Sequence, residues 1–424
     1  MTAQPGQESA SALGALVRSR VSHTITALGL TQIITWGTSL YALGVLGKPI
    51  AADTGWSQTL VFGGLSIGLL ASSVLSPSIG RLIDRRGGRP VMAIGTLLLA
   101  AGLVLLAMVT SQALYLAAWA FLGVGMRMTL YDAAFPALVQ AMPSQGRRAI
   151  SYLTLFGGFA SSVFWPIGHA LNAAYGWRTT LMIFAAINVA ASLPLVLVAL
   201  SWREDGAQRP DEPPAQTAAA QHSQPPLEGP QRLVAMVLFG IIVALSAVVF
   251  GAMAVHLVPV LEASGLAAAM AVFIASLKGG AQVAGRVWDL VVARHWHALD
   301  VGRVSIAFIP LSFAILMLGG ANLWTALAFT LVFGVSNGLV TIIRGAVPLA
   351  LFGAKGYGEV LGILATPYLV LAAVSPAVFA AIVERWGYGA GEALMLASGL
   401  ASFAGMEVLT AWYRRRTPAT SPTG

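Results

Sequence analysis

The sequence contains no cysteine, and only 9% of its 424 residues are charged. The missing cysteines exclude disulfides, thiolate metal sites and cysteine nucleophiles. A soluble domain is about 25% charged, so this chain has too few charges to cover a water-exposed surface. Hydrophobic residues make up 57% of it, and it carries 46 glycines and 21 prolines, which packed membrane helices tolerate. The composition predicts an all-α polytopic protein of the lipid bilayer.

Apolar runs of membrane-spanning length recur along the whole chain. A helix of about 20 residues crosses a bilayer core of about 30 Å. The runs predict twelve spans: 22–47, 57–80, 90–110, 112–139, 149–173, 178–200, 232–258, 268–289, 302–320, 322–350, 358–383 and 392–412. A proline-rich segment, 201–231, predicts a disordered linker. It separates an N-terminal six-helix bundle, 1–200, from a C-terminal one, 232–424.

The basic residues predict the orientation of these spans. Of the 24 lysines and arginines, eighteen fall on one side of the predicted membrane, three on the other and three within spans. Cytoplasmic loops carry the excess of positive charge. We therefore expect a multi-pass protein of the plasma (inner) membrane with both termini and the linker in the cytoplasm. The net charge of +8 is explained by this topology and does not indicate nucleic-acid binding.

The two halves of the chain repeat one pattern. Six matches occur in the same order at an offset close to 210: Pro49 with Pro259, Gly55 with Gly265, Gly80–Asp84 with Gly285–Asp289, Pro136 with Pro348, Gly146 with Gly356, and Pro166 with Pro376. A parallel repeat of six spans about an axis along the membrane normal is an arrangement that transporters use.

A basic, glycine-rich loop joins predicted spans two and three. It reads Gly80-x-Leu82-x-Asp84-Arg85-x-Gly87-Gly88-Arg89, with a degenerate copy at Gly285–Asp289. This loop resembles the signature loop of the major facilitator superfamily. The resemblance extends over essentially the whole chain. It implies a secondary active transporter that works by alternating access, with spans one, four, seven and ten lining a central cavity.

The resemblance also implies a gate at the cytoplasmic ends of the helices. Asp84 would anchor the N-terminus of span eleven, where the helix dipole favours an anion. Asp132, near the end of span four, could reach Arg85 or Arg89 as a charge relay. The alternative is that the arginines only set the topology. The predicted gating set is Gly80, Asp84, Arg85, Gly87, Arg89, Asp132, Gly285 and Asp289.

Charges deep within the spans point to a solute site. Inserting each such charge into the bilayer costs about 2.5–3.5 kcal/mol, so these residues usually have a function. Helical spacing places Lys278 and Gln282 on one face of span eight, and Asn337, Thr341 and Arg344 on one face of span ten. Arg127 and Tyr131 lie one turn apart in span four, and Gln32 lies on the polar stripe of span one. The predicted substrate-binding set is Gln32, Arg127, Tyr131, Lys278, Gln282, Asn337, Thr341 and Arg344.

The buried charges are three cations, Arg127, Lys278 and Arg344, against one clear carboxylate, Asp132. This excess favours a small organic anion as the solute. Two alternatives remain: structural ion pairs, with Arg344 joined to Glu359 and Arg127 to another acid, or a deprotonated functional Lys278. Short segments, Gly55-Trp56-Ser57 and 279–286, resemble bacterial members of the monocarboxylate-porter group, which implies a monocarboxylate.

The rival transport function is multidrug-type efflux by antiport. That class carries Gly-Pro-x-x-Gly-Gly in span five, where this chain has Trp165-Pro166-Ile167-Gly168-His169. A solute-sensing receptor is a further possibility. No nucleophile–base arrangement or cofactor motif predicts an enzyme, and His295-x-His297 reads as polar loop surface. We expect a monomer that binds a small, anionic solute, with proton coupling or exchange left open.

Overall fold

The described residues form α-helices joined by short turns, and they contain no β-strand. The computed structural model describes residues 5–202, 226–320 and 322–416, with side chains from residue 20 and up to residue 415 within those ranges. The helices are α1 (Pro5–Thr38), α2 (Ala42–Thr54), α3 (Gln58–Arg86), α4 (Gly88–Ala107), α5 (Gln112–Thr129), α6 (Tyr131–Ala141), α7 (Gly146–Gly158), α8 (Ala160–Ile187), α9 (Leu193–Ala199), α10 (Gly229–Ala263), α11 (Ala268–Val291), α12 (Ala298–Leu318), α13 (Leu323–Phe352), α14 (Tyr357–Trp386) and α15 (Tyr388–Arg416).

Ten helical segments among the described residues are long and apolar enough to cross a membrane. The chain is therefore a polytopic α-helical membrane protein, as predicted. The count of twelve spans stays a prediction, because predicted spans five and six lie in one helical run over 143–199. Gly176 divides that run with φ 77° and ψ 167°, a conformation outside the helical region. The break lies between the two predicted spans.

The chain divides into two compact units. Unit 1 comprises Met1–Pro225 and Ala354–Glu359, and unit 2 comprises Pro226–Gly353 and Val360–Gly424. These bounds differ from the predicted bundles in that six residues near the start of α14 belong with unit 1. Helix α10 begins at Gly229, inside the predicted linker. Residues 203–225 of that linker lie outside the described residues.

Unit 1 is built around a close contact between α3 and α5. A Cβ on Gly123 would lie 2.1 Å from the backbone oxygen of Gly68, so the two helices touch through their backbones. Small residues allow this approach in membrane helices. On either side, Ser72 donates to the carbonyl of Gly123 at 2.6 Å, and Tyr115 donates to the carbonyl of Val61 at 2.7 Å. The contact fixes α5 against α3.

Unit 2 repeats this contact between the corresponding helices, α11 and α13. A Cβ on Gly338 would lie 2.3 Å from the backbone oxygen of Gln282, and one on Gly334 would lie 2.8 Å from that of Lys278. Phe313, Phe329 and Phe333 form the adjoining core and are fully buried. The crossing therefore holds two of the predicted solute-binding residues at the α13 interface.

The helices of unit 1 are interrupted where the sequence predicts continuous spans. Predicted span one is divided between α1 and α2 at 39–41, and predicted span four is divided at Leu130, whose ψ is −171°. A π-helical turn, Asn188–Ser192, interrupts predicted span six. In unit 2, helices α10 to α15 each run without such a break over the described residues. Predicted spans one and four thus each contain two helices.

Candidate functional site

The turn between α3 and α4 has a conformation that requires glycine. Gly87 has φ 83° and ψ 158°, a region that side chains disfavour. Gln140 ties the turn to α6: its Oε1 accepts from the backbone N–H of Gly88 at 3.1 Å, and its Nε2 donates to the carbonyl of Ile83 at 3.1 Å. The turn is therefore fixed on both sides by one side chain that the sequence did not single out.

Asp84 caps the N-terminus of α14. One carboxylate oxygen accepts from the N–H of Gly358 at 2.9 Å, and the other accepts from the N–H of Glu359 at 2.8 Å. Both donors belong to the residues of α14 that lie in unit 1. The first N–H groups of a helix lack intrahelical partners and carry the positive end of its dipole. The contact that the family resemblance implied for Asp84 is present.

Gly80 and Arg81 complete this contact. A Cβ on Gly80 would lie 2.1 Å from the backbone oxygen of Gly358, so only glycine lets α3 come this close to the start of α14. The Arg81 guanidinium forms an ion pair with Glu359 at 3.3 Å. Glu359 thus pairs with Arg81, and not with Arg344 as one interpretation of the sequence proposed. Asp84, Gly80 and Arg81 together hold one helix start.

The expected relay from Asp132 to Arg85 or Arg89 is not formed in the part of the chain that the structure describes. Arg89 instead donates through Nε to the carbonyl of Leu197 at 3.1 Å. That carbonyl is in the last turn of α9, where the helix dipole attracts cations. Asp132 interacts electrostatically with the phenol of Tyr357. Asp84 and Asp132 therefore both act on the start of α14.

The second copy of the loop motif serves a different contact. A Cβ on Gly285 would lie 2.8 Å from the backbone oxygen of Val335, so Gly285 belongs to the crossing of α11 and α13. Asp289 and Arg286 are both buried. Nε and Nη1 of Arg286 have no hydrogen-bond partner among the described residues. The sequence did not predict that Arg286 would be buried.

Arg127 is buried in unit 1 and binds α3. Its Nε donates to the Ser76 hydroxyl at 2.5 Å, and one terminal nitrogen donates to the Ser76 carbonyl at 3.1 Å. Only 2% of the residue is exposed. Ser76 precedes Pro77, which lacks an N–H and weakens the helical hydrogen bonding around it. Arg127 therefore stabilises α3 next to its proline.

Gln32 is fully buried, and both ends of its amide are hydrogen-bonded. Its Nε2 donates to the carbonyl of Thr129 at 2.9 Å, and its Oε1 accepts from Nε1 of Trp36 at 3.1 Å. The Trp36 ring lies 5.0 Å from that of Tyr131. Tyr131 donates through its hydroxyl to the carbonyl of Thr154 at 3.2 Å. Gln32 and Tyr131, which the sequence placed at one site, thus meet through Trp36.

In unit 2, Lys278 lies beside an aromatic face. Its Nζ is 5.6 Å from the centre of the Phe333 ring, a cation–π arrangement. The side chain is half-buried, and the described residues provide no ion-pair partner for it. Gln282, one turn further along α11, is also half-buried.

The polar stripe of α13 lies in the same unit. Asn337, Thr341 and Arg344 are each half-buried. The Thr341 hydroxyl donates to the backbone carbonyl of Asn337 at 2.9 Å, so its oxygen can still accept a hydrogen bond. The Arg344 guanidinium stacks on Tyr368, 3.6 Å from the ring centre. Tyr368 was missed from the sequence, although Pro367 marks this part of α14 as irregular.

The structure therefore divides the predicted solute residues into two sets. Gln32, Arg127 and Tyr131 belong to unit 1, and Lys278, Gln282, Asn337, Thr341 and Arg344 belong to unit 2. Within the described residues, no group of three or more histidine, aspartate or glutamate side chains could hold a metal ion.

Comparisons with known proteins identify the family and the fold. The sequence model of the Major Facilitator Superfamily matches residues 28–309. No curated protein matches the chain. Among solved structures, the human organic anion transporter MFSD10 (TETRAN) is similar at 16% identity with a TM-score of 0.67, covering 92% of this chain and 99% of that one. FucP, in the outward conformation, is similar at 14% identity with a TM-score of 0.69, covering 91% and 98%.

A third similar structure is the proton:xylose symporter XylE bound to 6-bromo-6-deoxy-D-glucose. It has 12% identity and a TM-score of 0.69, and the alignment covers 92% of this chain and 96% of that one. At these identities the likeness shows the fold alone.

Proposed function

The chain belongs to the major facilitator superfamily and is a membrane transporter, and we propose that its solute is a small organic anion such as a monocarboxylate. We further propose that it works by alternating access with proton coupling or exchange. The similar structures include an organic anion transporter and a proton:xylose symporter, so likeness of fold does not choose between solute classes. The choice rests on the side chains of unit 2.

The observation that carries the proposal is the position of Lys278. It lies ten residues from the first and thirteen from the last residue of α11 (Ala268–Val291), which is about 15 Å and 20 Å along the helix. It is therefore near the middle of a membrane-spanning helix, where transporter sites lie. A charge there costs about 2.5–3.5 kcal/mol, and one aromatic face offsets about 0.5–2 kcal/mol of it. A bound anion would offset the remaining cost of the buried charge.

The neighbouring polar groups suit a carboxylate. Arg344 stacks on Tyr368 and brings a further positive charge to this unit. The side-chain amide of Asn337 adds donors on the same stripe of α13. The carboxylates nearest in sequence to Lys278 are Glu262 and Asp289, each more than ten residues away. Unit 2 thus offers donors and positive charge to a solute that brings its own negative charge.

The gate and the topology are part of the proposal. The capping of α14 by Asp84 supports a role in closing the end of the molecule that bears the loop motif. The excess of basic residues on the same side supports cytoplasmic termini and insertion in the plasma membrane. Tags at residue 215 and at both termini should all be protected from a membrane-impermeant protease added outside intact cells. Cleavage at 215 alone would overturn the predicted topology.

The test of the solute class uses purified protein and a small set of probes. Lactate, pyruvate, inorganic phosphate and tetraphenylphosphonium are titrated against thermal unfolding. We expect stabilisation by a monocarboxylate, since binding to the folded state raises Tm. Stabilisation by the cation alone would favour the multidrug-type alternative. Radiolabelled uptake into vesicles then separates transport from binding, because a receptor would bind the probe without moving it.

Variants of Lys278 assign the site. Lys278→Gln should weaken monocarboxylate binding by about 10–150-fold, because a hydrogen bond to a charged group contributes about 1.5–3 kcal/mol. Lys278→Arg should keep part of the affinity with altered selectivity, since the charge remains and the head-group geometry changes. Lys48→Gln, at an exposed position, is the matched control. A folded Lys278→Gln protein with unchanged affinity would remove the anion site from this residue.

A further inference from the structure

We propose that Gln32 is a positioning residue: it holds the interruption between α5 and α6 and thereby sets Arg127 and Tyr131. The inference rests on the proposed function in one respect, that these two residues belong to the solute pathway. Sequence analysis placed Gln32 among the solute-binding residues. Its burial and its two hydrogen bonds give it a different task.

The interruption leaves carbonyls at the end of α5 without their helical partners, and the carbonyl of Thr129 is one of them. In a continuous helix the carbonyl of Thr129 would accept from the N–H of Ala133. Leu130 is extended, with φ −76° and ψ −171°, and the N–H of Ala133 bonds instead to the carbonyl of Leu130 at 2.9 Å. An unsatisfied carbonyl inside a membrane protein is strongly unfavourable, because no water is there to donate to it. The Gln32 amide satisfies it at 2.9 Å.

The other end of Gln32 controls the aromatic ring that packs on α6. Its Oε1 orients Trp36, and Trp36 packs on Tyr131 at 5.0 Å between ring centres. Tyr131 in turn stacks on Phe135 at 5.1 Å. One amide therefore fixes the last carbonyl of α5 and, through Trp36, the first side chain of α6. These are the two ends of the interruption.

Arg127 and Tyr131 flank that interruption closely. Arg127 precedes Thr129 by two residues, and Tyr131 follows it by two. Because Leu130 is outside the helical region, its backbone rotation decides how the α5 and α6 faces are turned relative to each other. A change at Gln32 should therefore move both residues together, although Gln32 itself is fully buried and does not touch a solute.

An isosteric substitution tests this chemistry. In Gln32→Glu the new carboxyl group keeps the shape of the amide and can still accept from Trp36. When protonated it can also donate to the carbonyl of Thr129, and when ionised it cannot. Burial raises the pKa of such a carboxyl group, so the defect should appear as pH rises and be reversed at low pH. Gln32→Leu removes the donor at every pH.

Other charged and titratable groups lie on the helices packed around this stretch of α1, and all variants must share them if the pH response is to report residue 32 alone. They are Tyr115 and Arg127 on α5, Tyr131 and Asp132 on α6, Arg147, Arg148 and Tyr152 on α7, and His169, Tyr175 and Arg178 on α8. These groups are present in every protein compared, so the pH dependence gained by Gln32→Glu is read as a difference from the parent.

The measurement needs no known solute, because it reports a distance within the protein. The chain has no cysteine of its own, so spin labels attach only at the introduced cysteines. Spin labels at Gln112→Cys, at the start of α5, and Pro143→Cys, after the end of α6, report the bend between the two helices. Both positions are exposed. We expect parental distances for Gln32→Glu at pH 5 and a shifted, broader distribution at pH 8. Gln58→Glu, an exposed site on α3, should match the parent at both values.

Uptake of the monocarboxylate probe supplies the functional readout. We expect Gln32→Glu to raise the KM for uptake at least tenfold between pH 5 and pH 8, relative to the parent, with a smaller change in kcat. Unchanged distances in Gln32→Glu at pH 8 and in folded Gln32→Leu would overturn the positioning role. A shift in distance with no monocarboxylate binding by the parent would instead reject the proposed solute and leave the role of Gln32 standing.

Discussion

The cap that Asp84 places on α14 gives a prediction whose size follows from the contact. Asp84→Asn retains one acceptor oxygen and turns an NH₂ group toward the second backbone donor. One charge-assisted hydrogen bond, about 1.5–3 kcal/mol, is therefore lost. The interaction of the charge with the helix dipole, about 0.3–1 kcal/mol, is lost as well. We expect the contact to weaken by about 2–4 kcal/mol, which is about 30–900-fold in its equilibrium constant.

Spin labels measure that equilibrium directly. Ser78→Cys on α3 and Lys355→Cys just before α14 are exposed positions on the two sides of the contact. Asp84→Asn should increase the population of longer distances relative to the short one by the stated factor, and should slow transport. Glu262→Gln removes one carboxylate at an exposed position and is the control. If Asp84→Asn leaves both the distances and the transport rate unchanged, the cap is not a gate and the loop only sets topology.

Two further changes test the helix crossing and a surface ion pair. Gly338→Val should lower Tm by the equivalent of at least about 1–3 kcal/mol, because its Cβ would lie 2.3 Å from the backbone oxygen of Gln282. Gly280→Val, whose Cβ meets nothing within 4 Å, should lower Tm only slightly. Equal losses of Tm in the two variants would contradict the packing argument. The Arg178 guanidinium donates to Asp53 and lowers the pKa of that carboxyl below its ordinary 3.8. The stabilisation from this ion pair should be present above pH 3.8 and be lost as pH falls through the lowered pKa of Asp53. The difference in Tm between the parent and Asp53→Asn should therefore vanish in that range.

Much of the fold could be predicted because its causes are local in the sequence. Apolar runs of sufficient length identify membrane helices, and the offset of about 210 residues identifies the repeat. The interruption at Leu130 could not be predicted in this way. Leucine is a good helix former, and the nearest proline, Pro136, is six residues further on. What stabilises the interruption is the amide of Gln32, which is 97 residues away from its partner Thr129.

The candidate site was predictable only in part, and the reason is again distance along the chain. Asp84 and Gly80 were found because their loop motif carries a resemblance. Gln140 and Tyr368 were missed because a lone glutamine or tyrosine in a span has many possible partners. The bond from Gln32 to the carbonyl of Thr129 was missed because a polar stripe on a helix looks the same whether it faces a solute or a carbonyl of another helix. The bonds from Arg127 to Ser76 on α3 were missed for the same reason, and its place at the solute site stays a prediction.

The interruptions in unit 1 have a consequence for how the two halves of the chain deform. Backbone amides at a break have lost part of the hydrogen-bond ladder that stiffens a helix. Deuterium exchange should therefore be fastest at 39–41, around Leu130 and at 188–192, while helices α10 to α15 exchange chiefly from their ends and around the prolines within α10, α12, α13 and α14. The two copies of the repeat thus differ in how their helices are interrupted over the described residues: unit 1 is broken at residues outside the helical region, whereas unit 2 carries its prolines within continuous helices.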